Sequence, residues 1–131
     1  MDLGIAGRTA LVTGASTGLG LASAQALAAE GVKVALASRS VDKLAAAAET
    51  IDGDVPTIAV DLACDNSIDA MLQEALTSLS HIDILVANAG GRTPGTFAST
   101  GLNLYPAALQ LNLLAHVRMC KALIPAMQER G

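Results

Sequence analysis

The sequence predicts an α/β fold, a doubly wound parallel sheet with helices on both faces, and three observations carry that prediction. Four short apolar, β-capable runs alternate with helical patterns along the chain. The connections between them are a few residues long, so each return to the sheet requires a right-handed crossover. Hydrophobic residues make up 52% of the 131 residues, while Phe97 and Tyr105 are the only aromatics, so the core must be built from Ala, Leu, Val and Ile packed closely. That composition suits strands covered on both sides.

The first strand runs from Arg8 to Thr13, a continuous apolar run of the kind buried on both faces. It stops at Gly14. From there Ala15-Ser16-Thr17-Gly18-Leu19-Gly20-Leu21 leads into a helix expected over Gly18 to Glu30, with Leu19, Ala22, Ala26 and Leu27 at helical spacing and Gly31 as its stop. Val32 to Ala37 is a second strand, ending at the polar Ser38-Arg39-Ser40. Ser40 is placed to cap a helix over Val41 to Ile51, with Lys43 and Glu49 outside and Leu44, Ala47, Ala48 and Ile51 inside; Gly53 and Asp54 end it.

Val55 to Val60 is a third strand, with Pro56 near its start, where a missing donor is tolerated. Asp65 or Ser67 caps the next helix, which extends to about Leu79 on a stripe of Ile68, Met71, Leu72, Ala75, Leu76 and Leu79. Ile82 to Ala87 is the fourth strand and meets Asn88-Ala89-Gly90-Gly91. A loop rich in Gly, Thr, Pro and Ser follows, with Arg92 to Asn103 as a mobile wall. A long helix is then expected from Leu104 to about Gln128, carrying Asn112 and bent near Pro125. Residues 1–131 read as one domain without repeats or linkers.

Eight basic against twelve acidic residues give a net charge of −4 with no basic cluster, which argues against a nucleic-acid surface. The apolar runs are interrupted well before the ~18–20 residues of a membrane helix, and the start of the chain lacks a basic leader. A cytoplasmic protein is the expectation. Cys64 and Cys120 have no CxxC or Cys/His ligand spacing, so both read as reduced apolar fillers and no metal is expected. His81 and His116 have no Ser, Cys or carboxylate partner at a suggestive spacing and read as ordinary surface or helix residues.

The glycine turn carries the chemistry. Glycine there lets the backbone approach a pyrophosphate and lets strand and helix pack closely, while the N–H groups at the helix start favour an anion. By itself such a turn serves tight packing equally well. Its companions distinguish the two readings. Thr13-Gly14-Ala15-Ser16-Thr17-Gly18-Leu19-Gly20 fits a TGxxxGxG pattern, Asp61 follows the third strand, Asn88-Ala89-Gly90 follows the fourth, and Asn112 lies in the next helix. In these motifs and their order the chain resembles the classical short-chain dehydrogenase/reductase family, in particular its 3-oxoacyl-carrier-protein reductase branch. The fold expected from the resemblance is a Rossmann-type doubly wound parallel sheet, stopping after the fourth strand and the helix that follows it.

The resemblance implies a nicotinamide cofactor. Gly14, Ser16, Thr17, Gly18, Leu19 and Gly20 would form its pyrophosphate cradle. Asp61 can accept a hydrogen bond from the adenine amino group and Leu62 offers an N–H and an apolar surface, although a helix cap or loop hydrogen bond is the alternative use of Asp61. Asn88 would tie the loop to neighbouring strands, and Ala89 and Gly90 would let the chain pass close to a ribose. Ala87 stands where many members have the first Asn of an NNAG motif. At the end of the second strand, Ser38 and Arg39 stand where an NAD-binding chain normally has an acid, and Arg pairs with a 2′-phosphate. NADP(H) is therefore expected over NAD(H), with an exposed Arg39 of no ligand role as the alternative.

By the same resemblance Asn112 is the Asn of a catalytic tetrad, the alternative being a buried Asn that braces its helix. The other members of that tetrad, a Ser and the Tyr and Lys of YxxxK, have no counterpart here, since Tyr105 is followed at that spacing by Leu109. The chain thus resembles the cofactor-binding front of an enzyme acting on a small carbonyl or alcohol, or a nucleotide-binding module without catalysis. A sheet ending at the fourth strand leaves the edge of Ile82 to Ala87 unpaired, so association with another copy as a homo-oligomer is expected.

Overall fold

The computed structural model describes residues 1–91 and 94–131. Its sheet consists of β1 (Thr9–Thr13), β2 (Lys33–Ser38), β3 (Thr57–Ala59) and β4 (Ile84–Val86). All pairings are parallel and the order is β3-β2-β1-β4. β1, β3 and β4 are shorter than their apolar runs, and β2 is shifted one residue along its own. The ladder nonetheless extends past β3, because Leu36 N–H donates to Pro56 O at 2.9 Å and Val60 N–H to Ser38 O at 2.9 Å. Pro56 thus contributes the one backbone group it has.

Between the strands lie α1 (Gly18–Ala29), α2 (Val41–Glu49) and α3 (Asp65–Leu79). After β4, α4 (Leu104–Leu109), a π-helical turn (Gln110–Leu114) and α5 (Ala115–Arg130) form one helical run, with Pro125 inside α5. The strand alternation sorts side chains to two faces. Leu11, Ala35 and Ile58 pack with α3 and α5, whereas Ala10, Val12, Val34 and Leu36 pack with α1 and α2. The sheet is therefore wound on both sides, as expected. β4 lies at one edge, and among the described residues no strand pairs with its outer side.

The α2 and α3 stripes match the helical period, with Leu44 and Ala47 buried on α2 and Ile68, Met71, Leu72, Ala75 and Leu79 on α3; α2 ends at Glu49 rather than at the expected Ile51, which is buried just past the helix. Ser40 caps α2 by accepting the Lys43 N–H at 3.3 Å. Helix α1 differs from expectation. Its buried residues are Gly20 and Ala24, with Leu21, Leu27 and Ala28 packed partly against the core, while Leu19, Ala22 and Ala26 are exposed. Alanine lines every side of this helix, so apolar spacing does not single out a face.

The cap of α3 also differs. Cys64 occupies the N-cap without a side-chain bond, Asp65 is the first helical residue, and Ser67 Oγ accepts the Asp61 N–H at 2.9 Å. Cys64 is exposed, so it is not a core filler, and both cysteines are free thiols. Of the loop expected over Arg92 to Asn103, Arg92 and Thr93 lie outside the described residues. The expected single helix from Leu104 is opened at its π-helical turn, where the Asn112 side chain donates to Ala108 O four residues back at 2.9 Å. Side chains that compete for the helix ladder in this way are a known cause of such irregularities.

His81 does have a carboxylate partner, which corrects the sequence expectation. In the bend that leads into β4, His81 Nε2 lies 3.2 Å from Oδ2 of Asp83, two residues on. Asp83, its side chain only 7% exposed, also accepts the Thr9 N–H at 3.0 Å and faces Arg130 Nε at 3.5 Å. Burial pushes the Asp83 carboxyl up, but the Thr9 backbone bond, the His81 and Arg130 charges and the Thr9 hydroxyl together hold it below the usual carboxylate range. This knot joins β1, β4 and the end of α5 at the amino ends of the strands.

A depressed carboxylate stabilises the fold fully above its unfolded pKa of about 4, and the contribution is lost as pH falls through the lowered native value. Asp83→Asn is therefore expected to lose roughly 1–3 kcal/mol at pH 7 and much less at a pH below the lowered native value. Urea unfolding at both pH values checks this; equal losses would contradict it.

Candidate functional site

Parallel strands joined by right-handed crossovers carry all their strand-to-helix turns at one end. Here the chain passes from β1 outward through β2 to β3, then returns to the other side of β1 as β4. The reversal between β1 and β4 opens a crevice at the carboxyl ends of the strands, where open α/β sheets bind ligands. A cleft of about 720 Å³ lies there, within the ~300–1,000 Å³ of small-molecule and cofactor sites. Gly14, Ser16 and Thr17 line it from the β1 turn, Ser38 and Arg39 from the β2 turn, Asp61 and Leu62 from the β3 turn, and Asn88, Ala89 and Gly90 from the β4 turn.

The remaining glycine-turn residues do not line the cleft. Gly20 is buried, and a Cβ there would run into the Gly14 carbonyl oxygen and come within 2.7 Å of Asn88 Nδ2. Its role is close packing of α1 against the strand turn. Gly18 has φ +59° and nothing within 4 Å of a Cβ, so it is required by conformation rather than by space. Leu19 is 81% exposed at the start of α1. Thr17 stands at the N-cap but places no side-chain oxygen on the first-turn N–H groups, and no acid lies in that turn. The helix start therefore presents its donors and partial positive charge without an internal anion.

Thr13, at the end of β1, holds the β4 turn in place. Fully buried, its hydroxyl donates to Val86 O at 3.3 Å and accepts the N–H groups of Asn88 and Ala89 at 3.2 and 3.3 Å. Asn88 Nδ2 in turn donates to Gly14 O at 3.3 Å. Because a Cβ on Gly14 would come within 2.9 Å of Ala89 Cα, glycine lets the two turns touch. Thr13 was not among the site residues expected from the sequence; its signal was its place as the Thr that opens the TGxxxGxG pattern.

On the opposite wall, Arg39 is exposed and none of the ion pairs among the described residues uses it. Lys43, read from the helical pattern as an outer residue of α2, lines the same wall. Sequence reasoning missed it because it lies four residues past Arg39, one helical turn into α2. Asp61 Oδ1 accepts the Ala63 N–H at 3.0 Å, so the loop-bonding use of this carboxylate is present while the residue still borders the cleft.

Asn112 lies outside that lining. Its Oδ1 accepts the Gly91 N–H at 3.3 Å and its Nδ2 donates to Gly91 O at 2.6 Å, bracing the β4 turn against the helix. On its other side it borders an apolar groove along α5 with His116 and Cys120. His116 is half-buried, and its Nδ1 has no partner among the described residues. Among the described residues, no helix is long and apolar enough to cross a membrane and no cluster of three or more His, Cys, Asp or Glu is placed to hold a metal.

The comparisons with known proteins agree with this geometry. The sequence model of the short chain dehydrogenase family matches residues 8–131. The chain is 38% identical over 130 residues to the ketoacyl reductase HetN of Nostoc sp., covering 97% of this chain and 45% of that protein. It is 32% identical over 130 residues to a glucose 1-dehydrogenase of Gluconobacter oxydans, covering 96% and 49%. The crystal structure of L-sorbose reductase from Gluconobacter frateurii, complexed with NADPH and L-sorbose, superimposes with a TM-score of 0.92 at 37% identity, over 100% of this chain and 51% of that one. The chain thus spans about half the length of the relatives it matches. With its sheet order, its glycine turn and a family match over nearly its whole length, the chain belongs to the short chain dehydrogenase family.

Proposed function

We propose that this chain binds NADP(H) as the cofactor-binding part of an oxidoreductase acting on a small carbonyl or secondary alcohol. The carrying observation is the convergence of four turns on one cleft at the sheet's switch point. Its walls fit the group. The glycine turn and the uncapped start of α1 receive the pyrophosphate, with Gly14, Ser16 and Thr17 supplying close backbone, Gly18 the positive φ of the turn, and Gly20 keeping the helix against the strand. Asp61 and Leu62 receive the adenine. Asn88, Ala89 and Gly90, fixed by Thr13, border the ribose, and Asn112 holds the turn behind them.

Two cations on one wall, Arg39 and Lys43, support NADP(H) over NAD(H), because a 2′-phosphate is the part of the cofactor that pairs with them. The relative solved with NADPH supports the same reading. When bound, the nicotinamide supplies or accepts hydride. Proton transfer to the substrate oxygen would need a further acid. Tyr105, with Leu109 rather than Lys four residues on, is not built for it. That observation favours the second reading, cofactor binding without turnover, for the 131 residues taken alone.

Titration with NADPH and NADH, followed by nicotinamide fluorescence, tests the proposal. Saturable binding with NADPH preferred, and no oxidation of NADPH by added carbonyls, is the expected result. Failure to bind either nucleotide would overturn it.

A further inference from the structure

The π-helical turn between α4 and α5 sends one amide side chain to each side of the helix. Gln110 and Asn112 are two residues apart, about 200° around a helix, and so face nearly opposite directions. Asn112 reaches Gly91 after β4. Gln110 reaches the turn after β3, where Nε2 donates to Leu62 O at 2.9 Å and to Asp65 Oδ1 at 3.3 Å. Both of its N–H donors are thus used on one short segment. That segment already closes on itself, through Ala63 N–H to Asp61 Oδ1, Cys64 N–H to Asp61 O at 3.1 Å, and Asp61 N–H to Ser67 Oγ. Gln110 is the link from this segment to the cleft side of the helical run, while farther along Arg118 Nη1 lies 3.5 Å from the other Asp65 oxygen.

The two parts it joins are facing walls of the cleft. Asp61, Leu62 and Ala63 line one side, and Leu104, Ala107 and Ala108, from the helix just before Gln110, line the other. A gap between an apolar helix face and a turn rich in backbone polar groups suits a flat heteroaromatic ring, with one face on methyl groups and polar edges at the turn. The width of that gap decides how well such a ring is held, and Gln110 is the side chain that bridges it next to the cleft.

We infer that Gln110 is a positioning residue for the purine end of the nucleotide, which it governs through Leu62 and Asp65 without touching it. This rests on the cofactor reading above. Gln110→Leu removes both donors and keeps the bulk. It should weaken NADPH and 5′-AMP about five- to tenfold, the loss of one to two ordinary hydrogen bonds. Nicotinamide mononucleotide, measured by competition on the same samples, should change by less than about twofold. Gln110→Lys, which restores a donor beside Leu62 O and a charge beside Asp65, should recover most of the loss.

A merely structural role would weaken both fragments equally, so parallel losses, or no loss for 5′-AMP, would overturn the inference. Should leucine not be tolerated, Gln110→Glu provides the same comparison, since it keeps the shape but has no donor and faces the Asp65 carboxylate. If the wild-type chain binds no nicotinamide nucleotide, the cofactor reading fails along with this one. If it binds NADPH normally and the Gln110 variants do too, only this inference fails.

Discussion

Replacing Arg39 with alanine is expected to weaken NADPH binding by roughly ten- to a hundredfold, while NADH affinity moves by less than about twofold. The reason is electrostatic and local. Arg39 borders the cleft, is exposed, and is used by none of the ion pairs among the described residues, so its guanidinium is available to a 2′-phosphate. A charge-assisted pair of this kind is worth about 1.5–3 kcal/mol. Lys43→Ala should give a smaller loss in the same direction, because an ammonium is a flexible point charge rather than a fork. Added salt should weaken NADPH binding more than NADH binding. Tighter binding of NADH by the wild-type chain, or an equal loss of both nucleotides in the variant, would remove the assignment.

Gly20→Ala is expected to destabilise the fold by about 2–3 kcal/mol, a fall in melting temperature on the order of 10 °C for a chain of this size. The added methyl has no room, because its nearest neighbours are the Gly14 carbonyl and Asn88 Nδ2. Relieving it means parting α1 from the turn that Asn88 holds. Gly18→Ala meets nothing within 4 Å and should cost only the strain of a positive φ, about 1 kcal/mol. Thermal unfolding of both variants separates packing from conformation. A Gly20→Ala protein as stable as wild type would show that the turn is looser than its contacts imply.

Much of the fold is legible in the sequence where a period is sharp. The buried face of α3 follows from Ile68, Met71, Leu72, Ala75 and Leu79, because polar residues between them mark the other side, whereas on α2 Leu44 marks the face and the exposed Ala45 and Ala46 are no less apolar than the buried Ala47. Helix α1 is not legible in that way. Leu19 and Ala22 are as apolar as Leu21 and Ala24, so only the packing selects a face. The π-helical turn has no signature in residue type, since it shows only once Gln110 and Asn112 find their partners. The His81–Asp83–Thr9 knot joins residues more than 70 positions apart, which no local pattern reports.

The sequence by itself determined the order of the elements, the place of the glycine turn and the arginine where an acid would select NAD. These follow from local rules, because glycine permits what other residues do not and short connections force one crossover hand. Which residues share the cleft was decided by tertiary structure alone. Lys43 came in, Leu19 and Asn112 stayed out, and Gly20 proved to serve packing. The reason is that the cleft is made by four turns that meet only when the sheet reverses direction between β1 and β4. Side-chain direction there depends on contacts across dozens of residues rather than on neighbours in the chain.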